Sequence, residues 1–291
     1  MTGGAAKGDA AGTVPALRGV DFSSAPSRRK PITVASGRLV GGRVQLQSVQ
    51  ALASLQQFEA LLAEPGPWLG AFDFPFGLPR EFVQSQQLGQ SLAEVLAELR
   101  RRWPTRLAFR AAIDAWGNAR PAGQRLLHRG CDRLGPGLSS TSPLQTRYVP
   151  VGFMFYEGVP RLLAAGVGLP GLHEGAVDRL ALEGYPGLLA HELLGRRSYK
   201  NGDSSAHREA RAELLAALAE GRTRLGLQLH CPAALQAQLL DDAAGDHLDA
   251  VLCLMQAAWA GGQPRWGQPA QVDPLEGWIC SAPDVARAAG G

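Results

Sequence analysis

The sequence lacks several patterns that would assign it to a class at once. It has no C-x-x-C pair, which argues against a zinc ribbon or a redox motif. No apolar run approaches the roughly 18 residues of a membrane span. The first fifteen residues are rich in Gly and Ala and hold no apolar signal-peptide core. We therefore expect a soluble cytoplasmic protein with reduced thiols. The four cysteines are Cys131, Cys231, Cys253 and Cys280.

The overall composition excludes little more. The chain has 291 residues, of which 45% are hydrophobic and 19% charged, with a formal net charge of +3. These values are ordinary for a globular protein, and the length suffices for one large domain or two small ones. The net charge is too small to indicate a partner, so the distribution of charge along the chain matters more.

The N-terminal part of the chain predicts an α/β arrangement. We expect a disordered tail over residues 1–16, because this segment has no hydrophobic periodicity. Apolar segments at 17–24, 32–35 and 39–46 predict three strands with short connections, the last two joined by a turn at residues 36–37. Helical spacing of apolar residues predicts a helix over 48–64, and residues 68–74 predict a fourth strand. Asp21 and Asp73 stand near the ends of the first and fourth strands.

Residues 91–170 differ in composition and predict a largely helical insertion between core elements. Residues 100–133 contain nine arginines against two acids, with aromatic residues between them. Arginines bind phosphates and aromatic rings stack on bases, so this segment is a candidate nucleic-acid surface. The alternative is a solvated helical face whose aromatics fill a local core. The candidate contacts are Arg101, Arg102, Trp103 and Arg106.

The predicted core comprises residues 17–90 and 171–291. A strand over 179–186 carries Glu183 near its end, and residues 275–279 add a short strand or cap. Lys200 belongs to a second basic group, which either holds a scissile phosphate or consists of exposed charges. Helices are predicted over 187–194, 206–220, the second half of 225–240, and 246–260.

Acidic residues recur where the predicted strands end. An Asp is depleted from strand interiors and costly to bury unless it is paired or holds a metal. Asp246 and Asp249 are three residues apart, so they share one face of the last helix. With Asp21, Asp73 and Glu183 they are candidates for a single catalytic cluster. Taken alone, each also fits a simpler role as a turn former, a cap or a charge at a helix N-terminus.

A cluster of carboxylates repels itself and needs a cation. Oxygen ligands suit Mg²⁺ or Mn²⁺ rather than zinc. Two such ions about 3.5–4 Å apart stabilise the attacking and leaving oxygens of a phosphodiester displacement. That chemistry needs no catalytic cysteine, no Ser–His pair and no organic cofactor.

Four motifs in this order resemble the "domain of unknown function 429" family. They are GVDFS at 19–23, AFDFPFGLP at 71–79, EGYP at 183–186 and DHLDA at 246–250. Tyr199–Lys200 and EGWI at 276–279 are also similar to the family's pattern. The resemblance covers about residues 17–82 and 180–279 and leaves the insertion outside.

This family is regarded as one of predicted nucleases with a ribonuclease-H-like fold. The resemblance implies a mixed five-stranded sheet, its first three strands antiparallel, flanked by helices. It implies that Asp21 and Asp73 bind metal, and that Asp249 with Asp246 provides the acids of the last helix. That placement is similar to the one in Holliday-junction resolvases.

The leading hypothesis is a nuclease that hydrolyses phosphodiester bonds of DNA or RNA with two Mg²⁺ or Mn²⁺ ions. Asp21 would bridge the ions, and Asp73, Asp249 and either Asp246 or Glu183 would complete the ligands. One alternative is a nucleic-acid-binding protein of the same fold without activity. Another is an ATPase or phosphotransferase of the related actin-like class. Those enzymes need a glycine-containing phosphate loop after the first Asp, and residues 22–27 contain no glycine.

Overall fold

The computed structural model describes residues 15–135 and 137–283 and confirms the α/β class. The predicted disordered tail lies outside the described residues as far as residue 14, and the first strand begins at Ala16. None of the helices described is long and apolar enough to cross a membrane.

The strands are β1 (Ala16–Asp21), β2 (Ile32–Val40), β3 (Arg43–Leu52), β4 (Trp68–Asp73), β5 (Arg133–Gly135), β6 (Leu138–Ser139), β7 (Val167–Gly168), β8 (Ala176–Glu183) and β9 (Gln228–His230). The helices are α1 (Leu55–Ala63), α2 (Arg80–Ser85), α3 (Leu92–Arg102), α4 (Arg106–Asn118), α5 (Val151–Ala164), α6 (Pro186–Leu194), α7 (Ser205–Glu220), α8 (Ala233–Asp241) and α9 (Asp246–Gly261).

One mixed sheet has the strand order β7-β8-β4-β1-β2-β3-β9. The pairs β1–β2 and β2–β3 are antiparallel, as predicted, and β1–β4, β4–β8, β7–β8 and β3–β9 are parallel. The sheet therefore has seven strands where five were predicted. The added edge strands, β7 and β9, are two and three residues long, too short for a periodic pattern to reveal them.

The hairpin between β2 and β3 turns later than predicted. β2 continues through residues 36–37, where the ladder contains a bulge, and the chain reverses at Gly41–Gly42. Both glycines have positive φ, 57° and 76°, the conformation that a tight two-residue hairpin turn favours. The predicted turn at 36–37 was wrong because both residues pair with β3, Ser36 with Ser48 and Gly37 with Leu46, and the residue left over in the bulge is Gln47 of β3.

The first helix is shorter than predicted because β3 extends to Leu52. Residues 48–52 pair with β2 and so cannot begin a helix. The helix α1 begins after Ser54, whose side-chain oxygen accepts a hydrogen bond from the Gln57 N–H at 3.2 Å. This N-cap bond satisfies a backbone donor at the helix start that would otherwise lack a partner.

The sheet lies between two apolar layers. Side chains alternate between the faces of a strand, and in β1 Leu17 belongs to one buried cluster while Val20 belongs to the other. The cluster on the Leu17 side includes residues of α6, α7, α8 and α9. The cluster on the Val20 side includes residues of α1, α2, α3, α4 and α5.

The segment predicted as an insertion, residues 91–170, provides much of the second layer. Phe109 of α4 and Phe155 of α5 are fully buried in the same cluster as Val20 and Phe72 of the sheet. The strand β7, also within this range, pairs with β8 at the edge of the sheet. The segment and the sheet therefore share one apolar core.

The helix α9 lies directly against the middle of the sheet. A Cβ atom on Gly19 would lie 2.0 Å from the Ala250 carbonyl oxygen and 2.1 Å from the Leu254 backbone nitrogen. Ala35 and Ala71 are the register partners of Gly19 on the two neighbouring strands, and both are fully buried. These three small residues form a groove across the sheet that receives α9.

We predict that Gly19→Ala destabilises the protein by about 3 kcal/mol or more, because the new methyl group would overlap backbone atoms that cannot move aside individually. Urea unfolding followed by circular dichroism measures the change. Gly262→Ala is the matched control, since its added Cβ would have its nearest neighbour at 3.5 Å, an ordinary contact. Equal stability of the two variants would contradict the close packing of α9 on β1.

Candidate metal centre

Three carboxylates meet where β1, β4 and α9 approach one another. Asp21 and Asp73 end adjacent parallel strands and are register partners. Asp21 is two residues beyond Gly19, and Asp73 is two beyond Ala71. Because side chains alternate, both carboxylates lie on the face that α9 covers. Asp249 comes from the first turn of α9, and each of the three residues offers an oxygen within 4.8 Å of the others.

Asp21 and Asp73 are half-buried, whereas Asp249 is only 1% exposed. All three line a cavity of about 590 Å³. Within residues 15–135 and 137–283, no hydrogen bond to the carboxylate of Asp21 or of Asp73 is present. Two neighbouring carboxylates are thus partly removed from bulk water with no hydrogen-bond donor from the described residues, which is unfavourable unless a cation or protons compensate.

Asp249, in contrast, is held by two donors. The Tyr199 hydroxyl donates to Oδ1, and the Lys200 ammonium forms an ion pair with Oδ2. The residue also lies at the N-terminus of α9, where the helix dipole favours a negative charge. The orientation of this carboxylate is therefore set by the protein itself.

The electrostatic environment favours protonation of the paired aspartates. Burial raises the pKa of Asp21 well above its usual range, and the charges of Asp73 and Asp246 raise it further. Burial is also the main cause that raises the pKa of Asp73 to about 6, although Lys200 opposes the shift. Lys200 and Lys30 lower the pKa of Asp21 but do not outweigh burial and repulsion.

Asp246 lines the same cavity but lies outside the group of three oxygens within 4.8 Å. Burial raises its pKa, and the charge of Asp242 adds to the shift. Its own charge raises the pKa of both Asp21 and Asp73. The two acids of α9 therefore occupy different positions. Asp249 belongs to the carboxylate cluster, whereas Asp246 lies in the cavity wall outside it.

Glu183 lies beside the cluster but has its own partners. Arg129 donates to both of its oxygens, at 2.8 and 2.5 Å, and the Phe76 N–H donates to one at 2.8 Å. Arg129 is 1% exposed and also pairs with Asp132, which is fully buried. Glu183, which the sequence suggested as a fifth catalytic acid, is therefore already bound by Arg129 through both of its carboxylate oxygens. Glu183 and Asp73 both line a smaller cavity of about 190 Å³.

Three of the predicted nucleic-acid contacts lie outside the lining of the carboxylate cavity. Arg101 and Arg102 both form ion pairs with Glu98 on α3, and neither lines the carboxylate cavity. Trp103 is half-buried, with its ring centroid 5.9 Å from that of Phe109. The aromatic ring therefore packs in the second layer, as the alternative interpretation of this segment expected.

The other two predicted contacts lie nearer the site. The Arg106 guanidinium donates to the Ser24 carbonyl at 3.3 Å, which ties α4 to the loop after β1, and it pairs with Glu157 at 3.5 Å. Lys200 lines both cavities and is 34% exposed. Of the predicted nucleic-acid residues, Lys200 is the one in direct contact with the carboxylates.

Sequence reasoning missed the residues that hold these groups in place. Arg211 is buried and donates to the carbonyls of Tyr199, Gly202 and Leu240, so it fixes the loop that carries Lys200. Arg129 likewise appeared only as one of many arginines in a basic stretch. Nothing in either arginine's local sequence indicates burial, because their partners are distant in sequence.

The donor set fits a divalent cation. It consists of carboxylate oxygens only, which are the ligands that Mg²⁺ and Mn²⁺ prefer. Asp21 and Asp73 have no hydrogen-bond donor among the described residues, so their lone pairs are free to coordinate. Asp249 can join them if Lys200 yields one oxygen. The arrangement can therefore bind a cation at the carboxyl ends of β1 and β4.

We predict that Asp73→Asn raises the melting temperature of the metal-free protein at pH 8. Folding raises the Asp73 pKa from 3.8 to about 6, so the folded state binds more protons than the unfolded state in that interval. Wild-type stability therefore falls as the pH rises from about 4 to about 6, and the penalty persists above pH 6. The neutral amide removes this penalty. Differential scanning fluorimetry in EDTA measures it.

Asp273→Asn provides a control of opposite sign. Burial raises the pKa of Asp273, but the hydrogen bonds from Arg80 and from the Leu275 and Glu276 N–H groups, with the charge of Arg80, together outweigh burial and leave the pKa lowered. Loss of this charge should lower the melting temperature at pH 8, and the difference should shrink as the pH falls. A metal-free Asp73→Asn variant that melts below the wild type at pH 8 would refute the assigned pKa shift.

Comparison of the chain with protein-family models, with curated proteins and with solved structures finds no match. The chemistry of the site therefore follows from its own geometry and charge. Its central elements are the three carboxylates of β1, β4 and α9 and the ammonium of Lys200 that contacts one of them.

Proposed function

We propose that this protein is a Mg²⁺- or Mn²⁺-dependent nuclease that hydrolyses phosphodiester bonds of nucleic acid. The observation that carries the proposal is the convergence of Asp21, Asp73 and Asp249, with an oxygen of each within 4.8 Å of the others. Asp21 and Asp73 lie at the carboxyl ends of adjacent parallel strands, where α/β sheets usually place their ligands, and Asp249 joins them from the first turn of α9. Two of them have no hydrogen-bond donor among the described residues.

The arrangement of the sheet supports a ribonuclease-H-like core for this function. The five inner strands, in the order β3-β2-β1-β4-β8, consist of an antiparallel meander followed by two parallel strands. In this proposal these five strands correspond to the mixed sheet that the resemblance implies, and α9 packs on one of its faces. In this proposal β7 and β9 are additions at the edges.

Asp21, Asp73 and Asp249 would hold the ions, and Asp246 would provide a further carboxylate from the cavity wall. Two bound ions would supply an activated water and stabilisation of the leaving oxygen. Glu183 stays with Arg129 in this proposal and acts on the site only through its charge, which raises the pKa of Asp73.

Tyr199 and Lys200 have separate tasks in the proposed mechanism. The Tyr199 hydroxyl keeps Asp249 oriented by its bond to Oδ1. The Lys200 ammonium neutralises the same carboxylate and borders both cavities. It is therefore placed to transfer its contact from Asp249 to a phosphate oxygen when substrate enters, because ammonium groups bind phosphate as point charges.

A nucleic-acid-binding protein without activity is the second candidate. The ion pair between Lys200 and Asp249 favours it, because a built-in ammonium already occupies one of the three carboxylates. In that case Asp21 and Asp73 would share protons instead of binding metal, as their raised pKa values permit. The two candidates differ in whether the site binds a divalent ion.

We expect Asp21→Asn to abolish Mn²⁺-dependent cleavage, with a loss of about 100-fold or more, because the amide removes a charged ligand from the centre of the cluster. Gel assays with labelled single-stranded and duplex DNA and RNA measure cleavage, and calorimetric titration with Mn²⁺ measures binding. Asp178→Asn is the matched control, since Asp178 is exposed on β8 and lies outside the cavity. It should leave both properties unchanged.

Two results would overturn the nuclease assignment. The first is cleavage by Asp21→Asn at the wild-type rate. The second is the absence of Mn²⁺ binding by the wild-type protein in the calorimeter, combined with nucleic-acid binding that persists in EDTA. The latter outcome would establish the second candidate.

A further inference from the structure

Two of the loops that border the carboxylate cavity carry side chains suited to nucleic acid. Residues 22–31 follow β1 and contribute Arg29 and Lys30 to the lining. Residues 147–150 precede α5 and contribute Tyr148, Val149 and Pro150. The acidic floor is thus bordered by a basic loop and by a loop that carries an aromatic ring.

Tyr148 is unusual in both exposure and backbone conformation. It is 100% exposed, so its ring packs against nothing in the described structure. Its φ is +59°, a conformation that is uncommon for a bulky residue and that costs free energy. An aromatic ring normally buries its large apolar surface, as Phe109 and Trp103 do here. Tyr148 instead presents both ring faces to solvent beside the cavity.

The loop around Tyr148 is held in place at its base. The Arg110 guanidinium donates to the Thr146 carbonyl at 2.8 Å, and Arg147 pairs with Asp114 of α4. The Gly152 N–H donates to the Gln145 carbonyl at 2.8 Å. The exposed ring is therefore carried by an anchored loop. Because the loop is already ordered, binding of a ligand to the ring costs less conformational entropy than it would on a mobile loop.

The opposite loop carries free positive charge. Arg29 and Lys30 are exposed, and neither forms an ion pair with another residue of the described chain. The loop is braced by the bond from Arg106 to the Ser24 carbonyl and by the bond from the Ser27 N–H to the Lys30 carbonyl at 3.0 Å. These two neighbouring cations line the same cavity as the carboxylates, so they are placed to contact phosphates of a strand bound there.

We propose that this cavity binds single-stranded nucleic acid, with a base stacked on Tyr148 and flanking phosphates bound by Arg29 and Lys30. Proteins that bind single strands without sequence preference combine aromatic rings on which bases stack with cationic side chains that contact the backbone, and Tyr148 with Arg29 and Lys30 provides both at this cavity. Bases inside a duplex are covered on both faces by their neighbours, so Tyr148 could not stack on them. The inference rests on the proposed function, which supplies the reason for a phosphate to lie over the carboxylates.

Fluorescence anisotropy tests the proposal directly. The probes are labelled oligothymidylate and oligouridylate of about 12 nucleotides, a length within the range that one such site covers, and a duplex of equal length. Titrations are run in EDTA and again in Ca²⁺. The single strands should bind at least about tenfold more tightly than the duplex. Tyr148→Ala should weaken their binding about 5- to 100-fold, whereas Tyr148→Phe should retain it.

A second variant tests the basic loop. Replacing Arg29 and Lys30 together by Gln should reduce the slope of log K against log salt concentration by about 1.4, since each phosphate contact to a single strand contributes about 0.7.

Val177→Ala is the matched control for loss of an exposed apolar side chain, because Val177 is 90% exposed and lies outside the cavity. It should change neither the affinity nor the slope.

The result separates this inference from the nuclease assignment. One outcome would overturn the inference and leave the nuclease assignment intact. In it, cleavage requires Asp21, but Tyr148→Ala binds and cuts the single strand as well as the wild type does. Binding that depends on Tyr148 without any cleavage would support the inference and overturn the nuclease assignment. Equal affinity for duplex and single strand, or no binding in either buffer, would also overturn the inference.

Discussion

The backbone of β1 at Gly19 packs directly against the backbone of α9 at Ala250 and Leu254, with no side chain between them. That contact fixes the height of the helix above the sheet. The height in turn determines that Asp249 reaches the ends of β1 and β4, where Asp21 and Asp73 lie two residues beyond small groove-forming positions. A larger residue in the groove would lift the first turn of α9 and separate its carboxylate from the other two. The acidic cluster therefore depends on a residue that has no chemistry of its own.

The same packing creates an electrostatic cost. Asp21 and Asp73 are brought together in a half-buried position where burial and mutual repulsion oppose ionisation. Lys200 compensates Asp249, and Lys30 reduces the cost at Asp21 from a greater distance. Proteins retain such unfavourable groups where they serve a purpose, because selection on stability alone would replace them. Here the unfavourable charge is concentrated on one side of an otherwise apolar core.

The sequence predicted the elements whose signals are local. Asp21, Asp73 and Asp249 follow from strand ends and helix spacing, and the structure brings these three together. It did not predict the partner of Glu183, because Arg129 is 54 residues away in the chain and resembles its neighbouring arginines. Residues 48–52 combine apolar residues in a pattern that suits either helix or strand, and only pairing with β2 decides between them. The exposure of Tyr148 is likewise a property of tertiary packing.

The buried ion pair of Arg129 with Glu183 has a consequence for the architecture as a whole. Arg129 belongs to the segment outside the resemblance, whereas Glu183 ends a central strand of the sheet. A shortened chain without that segment would lack the arginine that binds both oxygens of Glu183, and removing one partner of a buried ion pair costs several kcal/mol. Phe72 and Val20 would at the same time lose the aromatic layer that covers them. The segment therefore cannot be removed without taking the partner from Glu183 and the cover from the apolar face of the sheet.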